Sequence, residues 1–227
     1  KDKDPHPLRL SDEEDDFWAV QADMGERMLS ARPFEQIVVS TTGAMALYTI
    51  ERDARNAGFG MVPNLAALGC TIKAKYAAGG GGTPTTYEYV LTPVVITQGT
   101  NGAADSITFS SSTKEGGALP TRVTVDHPVQ AANFFVDSTL GINEGDLMIA
   151  VPPAPSSSNW CSVFQVTNDT SPGGGNSQGG GQGQNQVLHN SGQSAWNQAG
   201  GQTIFPSGGY PTGSILINLG DMSRRTY

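Results

Sequence analysis

The sequence predicts an α+β fold, with a long N-terminal helix packed on an antiparallel β-sheet and Gly-rich loops joining the strands. Three observations predict it. Apolar residues recur at helical spacing through the first 57 positions and end at a helix stop signal, Gly58. After Gly60 the pattern changes to short β-like runs punctuated by Gly, Pro and Ser. Glycine makes up 29 of 227 residues, about twice the usual share, so connections must be numerous and loop-like.

A length of 227 residues suits one domain, or one domain with an appendage. Three segments are expected: an acidic helical extension over 1–33, a helix over 34–60, and a β-rich globular domain over 61–227. In the first, Ser11 and Glu14 form a capping box, in which Ser accepts from the backbone and Glu reaches back. Phe17, Val20, Met24 and Met28 then share one face of a helix over about 12–31. Arg32-Pro33 should interrupt it, since a residue before proline avoids the α region.

The second helix begins near Phe34 and is best formed from Ala44 to Ala57. Leu47, Ile50, Ala54 and Ala57 make a narrow apolar stripe that should lie on the sheet. Glu51 and Arg55 stand at i, i+4 in the favourable order. Gly58 is the expected C-cap, because glycine takes the left-handed conformation without strain.

Strands are expected at 71–77, 87–97, 105–110, 121–126, 131–136, 146–151, 161–167 and 213–219. Pro93 should break the second or hold it at a sheet edge. Gly79 to Gly82 lack a following Lys-Ser/Thr, so this run is a hairpin loop and not a phosphate cradle.

The charge is unevenly spread. The net is −8, which excludes a basic nucleic-acid footprint. Residues 1–33 hold nine acids and five bases, whereas 170–220 contain no Asp, Glu, Lys or Arg. That uncharged Gly/Asn/Gln/Ser surface is typical of secreted adhesins and filament proteins; a low-complexity loop is the plainer reading for 170–186. No run of 18 apolar residues and no signal peptide is present, and the composition reads as polar and extracytoplasmic.

Chemistry-bearing residues are few. Cys70 and Cys161 lack metal-ligand spacing, and the simplest reading is one long-range disulfide, with two buried thiols as the alternative. Asp126-His127-Pro128 should be a surface turn, since neighbours on a strand point to opposite faces and cannot form a dyad. His6 and His189 have no evident partner. Glu144, Asp146 and Asp169 could meet at a Ca²⁺ site, but their spacing fits no known loop. Asn168-Asp169-Thr170 matches the glycosylation pattern by accident. No catalytic residue, metal or cofactor is expected.

Four segments carry a resemblance. Ala44 to Met61 (AMALYTIERDARNAGFGM) resembles the end of the long N-terminal helix in PilW-type minor pilins of type IV pili, with a cysteine, here Cys70, soon after. Gly145 to Val151 (GDLMIAV) and Cys161 to Thr167 (CSVFQVT) are similar to that family's paired strands. Ile215 to Tyr227 (ILINLGDMSRRTY) resembles the segment before its C-terminal strands. All four occur in the family's order and cover about 36–227.

Two departures stand out. The family's apolar, phenylalanine-led N-terminal helix is replaced by the acidic residues 1–33, which are read as an artificial fusion or replacement, with a native soluble extension as the rival. Relatives also continue past Arg-Arg-Thr-Tyr, so the chain is expected to be truncated or cleaved after Tyr227.

The resemblance implies a non-catalytic subunit, anchored in the bacterial inner membrane by the missing helix and then drawn into the extracellular fibre. There it would prime assembly and join a tip complex with other minor pilins and a tip adhesin. A type II secretion pseudopilin is the sister reading. A secreted β-rich binding module using Trp160, Trp196 and Tyr210 as stacking platforms is the reading from another class. A hydrolase is the least favoured.

Overall fold

The computed structural model of the protein describes residues 31–61, 65–78, 83–114, 119–168, 185–197 and 204–227, with helix side chains from Thr41 onward. The expected helix over 12–31, apart from its last residue, lies outside them, as do Gly79 to Gly82 and the stretch 170–184. The chain divides into two units at Arg52/Asp53.

The fold class differs from the expectation. Among the described residues there is one α-helix, α1 (Ala31–Asn56), and eleven strands in three sheets, so the protein is mostly β. It is not a long N-terminal helix packed on an antiparallel sheet. Of the stripe meant to make that contact, Leu47 is 69% exposed, Ala54 is exposed, and Ile50 and Ala57 are half-buried. The physical reason is twofold. Two alanines bury too little apolar area to hold a helix down. The main sheet also finds other cover on both faces. Pro33, expected to separate two helices, instead sits in the first turn of α1, where a missing N–H costs nothing.

The main sheet has six strands in the order β2-β1-β8-β7-β10-β5. These are β1 (Thr71–Tyr76), β2 (Thr85–Val90), β5 (Thr121–Arg122), β7 (Leu147–Val151), β8 (Cys161–Gln165) and β10 (Ile215–Gly220). Their pairs are antiparallel except β1–β8, which is parallel with Ile72 beside Cys161. β7 reads Leu-Met-Ile-Ala-Val and is buried at every position. A continuous apolar run of this kind marks a strand covered on both sides.

Alternation then sorts its neighbours into two cores. Leu147, Ile149, Val151, Cys161, Val163, Ile217 and Leu219 face one side, with Ile72, Cys70, Met61 and Leu91. Met148, Ala150, Phe164 and Leu216 face the other. That second face is covered by the ribbon of β6 (Asn133–Val136) and β9 (Asn185–Leu188), through Phe134, Val136 and Val187, and by Ile204, Phe205 and Tyr210.

The third sheet has the order β11-β4-β3, from β3 (Val94–Thr97), β4 (Ser106–Ser111) and β11 (Ser223–Thr226). Pro93 falls between β2 and β3, which belong to different sheets and lie at the edge of each. Sequence reasoning missed β9 and β11. Neither Asn-Gln-Val-Leu nor Ser-Arg-Arg-Thr shows a strand pattern without its partner.

Gly58 ends α1 with φ 80°, and its N–H donates to the Ser110 carbonyl of β4 at 2.8 Å. The ties of the helix's last turn to β11 are polar: the Arg225 guanidinium and the Tyr227 hydroxyl donate to the Asp53 carboxylate at 3.1 and 2.6 Å.

Candidate functional site

Cys70 and Cys161 are joined by a disulfide, with Cα atoms 6.0 Å apart. Cys70 immediately precedes β1 and Cys161 opens β8, so the bond staples the parallel pair inside the first core. The half-cystines are 2% and 0% exposed.

The second core holds the most unusual chemistry in the molecule. His127, expected on a surface turn, is 2% exposed, and His189 is 6% exposed. Their Nε2 atoms lie 2.9 Å apart, so one ring donates and the other accepts. Backbone pairing sets the positions. The His127 N–H donates to the Tyr210 carbonyl and the Tyr210 N–H returns the bond, at 2.8 and 2.9 Å. His189 follows β9 and its N–H donates to the Ala132 carbonyl at 2.8 Å. Gly209 (φ 70°) lets the chain pass against the His127 carbonyl, where any Cβ would collide.

Aromatic rings enclose the pair. Phe134 stacks on His127 with centroids 3.7 Å apart and planes 12° from parallel. Phe164 and Phe205 each approach His189 at 5.1 Å. Burial among these rings penalises the imidazolium and lowers His127 to about 4; burial and then the neighbouring His127 lower His189 to about 3. Burial likewise pushes the Tyr210 hydroxyl up; it donates to Ser162 Oγ at 2.7 Å. His127 Nδ1 has no hydrogen-bond partner. A cavity of about 60 Å³ lies beside His189, lined by Phe164, Trp196, Asn197 and Phe205 among others.

Asp126 and His127 do not pair as a dyad. Asp126 turns away, its carboxylate accepting from the Thr212 N–H and hydroxyl at 2.7 and 2.8 Å, which lowers its pKa. The buried pair was not legible in the sequence, because 61 residues separate the two histidines and neither lies in a recognisable motif.

The remaining candidates occupy structural posts. Asp146 pairs with Lys114 at 2.6 Å and accepts from the Asn143 N–H and Asn218 Nδ2 at 2.8 and 2.7 Å, which commits it to the core. Asp169, its proposed Ca²⁺ partner, lies outside the described residues. Among the described residues no group of three or more His, Cys, Asp or Glu could hold a metal ion. The Asn168 side chain is buried and accepts from the Leu188 N–H at 2.8 Å, a poor acceptor for a glycan.

The three aromatics of the binding-module reading do not form a platform. Tyr210 is fully buried, Trp160 donates to the Ile204 carbonyl at 2.6 Å beneath the Lys73 ammonium, and Trp196 leans on Tyr76 at 4.9 Å. No helix among the described residues is long and apolar enough to cross a membrane. No family model, curated protein or solved structure matches the chain.

Proposed function

We propose that this chain is a non-catalytic minor pilin of the PilW type, which primes type IV pilus assembly and takes a place in the tip complex with other minor pilins and a tip adhesin. The observation that carries the reading is the ordered set of four segments, 44–61, 145–151, 161–167 and 215–227. A buried disulfide joining the cysteine after the first segment to the one opening the third suits the oxidising space outside the inner membrane, where such a fibre is built.

The exposed apolar residues of the helix support the same reading. Met45, Leu47 and Tyr48 are 61%, 69% and 67% exposed. In a fibre, such residues pack against helices of neighbouring subunits, and Gly43, Ala44 and Ala46 allow a close approach. The work proposed is assembly and not chemistry. The protein would be held at the periplasmic face of the inner membrane before it enters the extracellular fibre, and loss of it would reduce twitching motility and adhesion.

The test is to isolate the protein from its native membrane fraction and determine its intact mass and N-terminal sequence. An N-methylated phenylalanine leading an apolar segment ahead of Phe34, together with co-purification of other minor pilins, is the expected result. A native chain that begins at Lys1 and binds no pilin overturns the reading.

A further inference from the structure

We propose that the His127–His189 pair is an acid-operated latch, which holds the β6/β9 ribbon and the 204–213 loop on the main sheet while both rings are neutral and releases them when the rings take up protons. The pair sits at a joint. His127 is bridged to Tyr210 of the loop, His189 directly follows β9, and Phe134 of β6 and Phe164 of β8 close over them. Few contacts could couple so many elements.

The geometry admits one shared proton. At 2.9 Å, Nε2–H of one ring must face a lone pair of the other; with both rings charged, two N–H groups would face each other. Among the described residues no compensating charge pairs with either ring. Phe134, Phe164 and Phe205 are apolar. Tyr210 directs its hydroxyl to Ser162 Oγ and the Trp160 carbonyl, and the Asp126 carboxylate is engaged by Thr212. Among the described residues no carboxylate hydrogen-bonds either ring. The cavity of about 60 Å³ beside His189 has room for water.

The direction of the response follows. Both imidazoles titrate below their ordinary 6.5 when enclosed, at about 4 and about 3. The opened state therefore binds more protons than the closed one between about 6.5 and those values, and falling pH favours opening. Each imidazole that charges freely only when open shifts the opening equilibrium by about fortyfold between pH 6.5 and 4.5.

The experiment is amide hydrogen exchange on this chain at pH 7 and 4.5, expressed as protection factors, with imidazole ¹⁵N shifts followed over the same range. The reporters are the joint amides of Thr124, His127, Thr167 and Tyr210, which donate to Phe135, Tyr210, Leu188 and His127 carbonyls. The expected result is a loss of about a hundredfold or more at these amides, with Ile149 and Ile217 retaining protection. The double variant His127→Phe/His189→Phe keeps ring packing, removes both titrating groups, and should abolish the pH dependence. Equal loss at Ile149, no loss at the joint, imidazoles titrating near 6.5 in the closed state, or a pH response that survives in the double variant each overturn the latch. If the double variant does not fold, exchange and ring shifts of the unmodified chain decide alone. None of these outcomes bears on pilus assembly, so this inference and the proposed function fail independently.

Discussion

The two faces of the main sheet are held by different physics. The first face is aliphatic and carries the Cys70–Cys161 staple. The second is aromatic and carries two buried imidazoles with no carboxylate hydrogen-bonded to them among the described residues. A covalent bond ignores pH and yields to reductant, whereas a buried imidazole pair ignores reductant and yields to acid. The same six strands thus present two layers with separate vulnerabilities, and the domain can lose one while keeping the other.

The comparison can be broken most forcefully at the disulfide. Replacing Cys70 and Cys161 together by Ala should cost roughly 4–5 kcal/mol on chain-entropy grounds, for a closed loop spanning a sequence separation of 91, read from urea unfolding. Exchange protection at Ile72 and Val163 should fall before that at Phe134. On the opposite face, Phe134→Ala removes a fully buried ring and should cost about 3–5 kcal/mol, with little change in the reducibility of the disulfide.

At the end of the sheet, Lys114→Met leaves Asp146 buried and unpaired. A loss of about 3 kcal/mol in urea unfolding is expected, and the paired change with Asp146→Leu should recover part of it. Acid sharpens the comparison further. Stability should be level above pH 7 and decline from about 6.5 towards 4, by about 2 kcal/mol for each imidazole over two pH units, since the native rings titrate at about 4 and 3. Unfolding curves at several pH values would show it, and a flat profile over that window would remove the distinction between the faces.

The smallest effect belongs to the helix. Leu47→Ala should change the stability of the β-rich unit by less than about 0.5 kcal/mol, because Leu47 is 69% exposed. A loss of about 2 kcal/mol or more would mean the stripe is buried after all.

Much of the strand layout was legible because turns announce themselves locally. Gly, Pro and Asn clusters separate the runs that became β1, β4, β6, β7, β8 and β10, and the boundaries fall within two residues of the expected ones. The break at Pro93 followed from its missing N–H. β5 is shorter than its run because only Thr121 and Arg122 meet β10. β9 and β11 were not legible, since their strand character comes from β6 and β4 alongside them.

By itself, the sequence determined what short-range chemistry controls: the Gly58 cap, the turn-bounded strands, and two cysteines suited to an oxidising space. Only the tertiary structure decided which strands pair and that β1 and β8 run parallel. It also drew His127 and His189 into one aromatic core. The reason is that local conformation depends on a residue and its near neighbours, while burial depends on what competes for a surface. Here strands and loops distant in sequence covered both faces of the sheet, and no local pattern could record that competition.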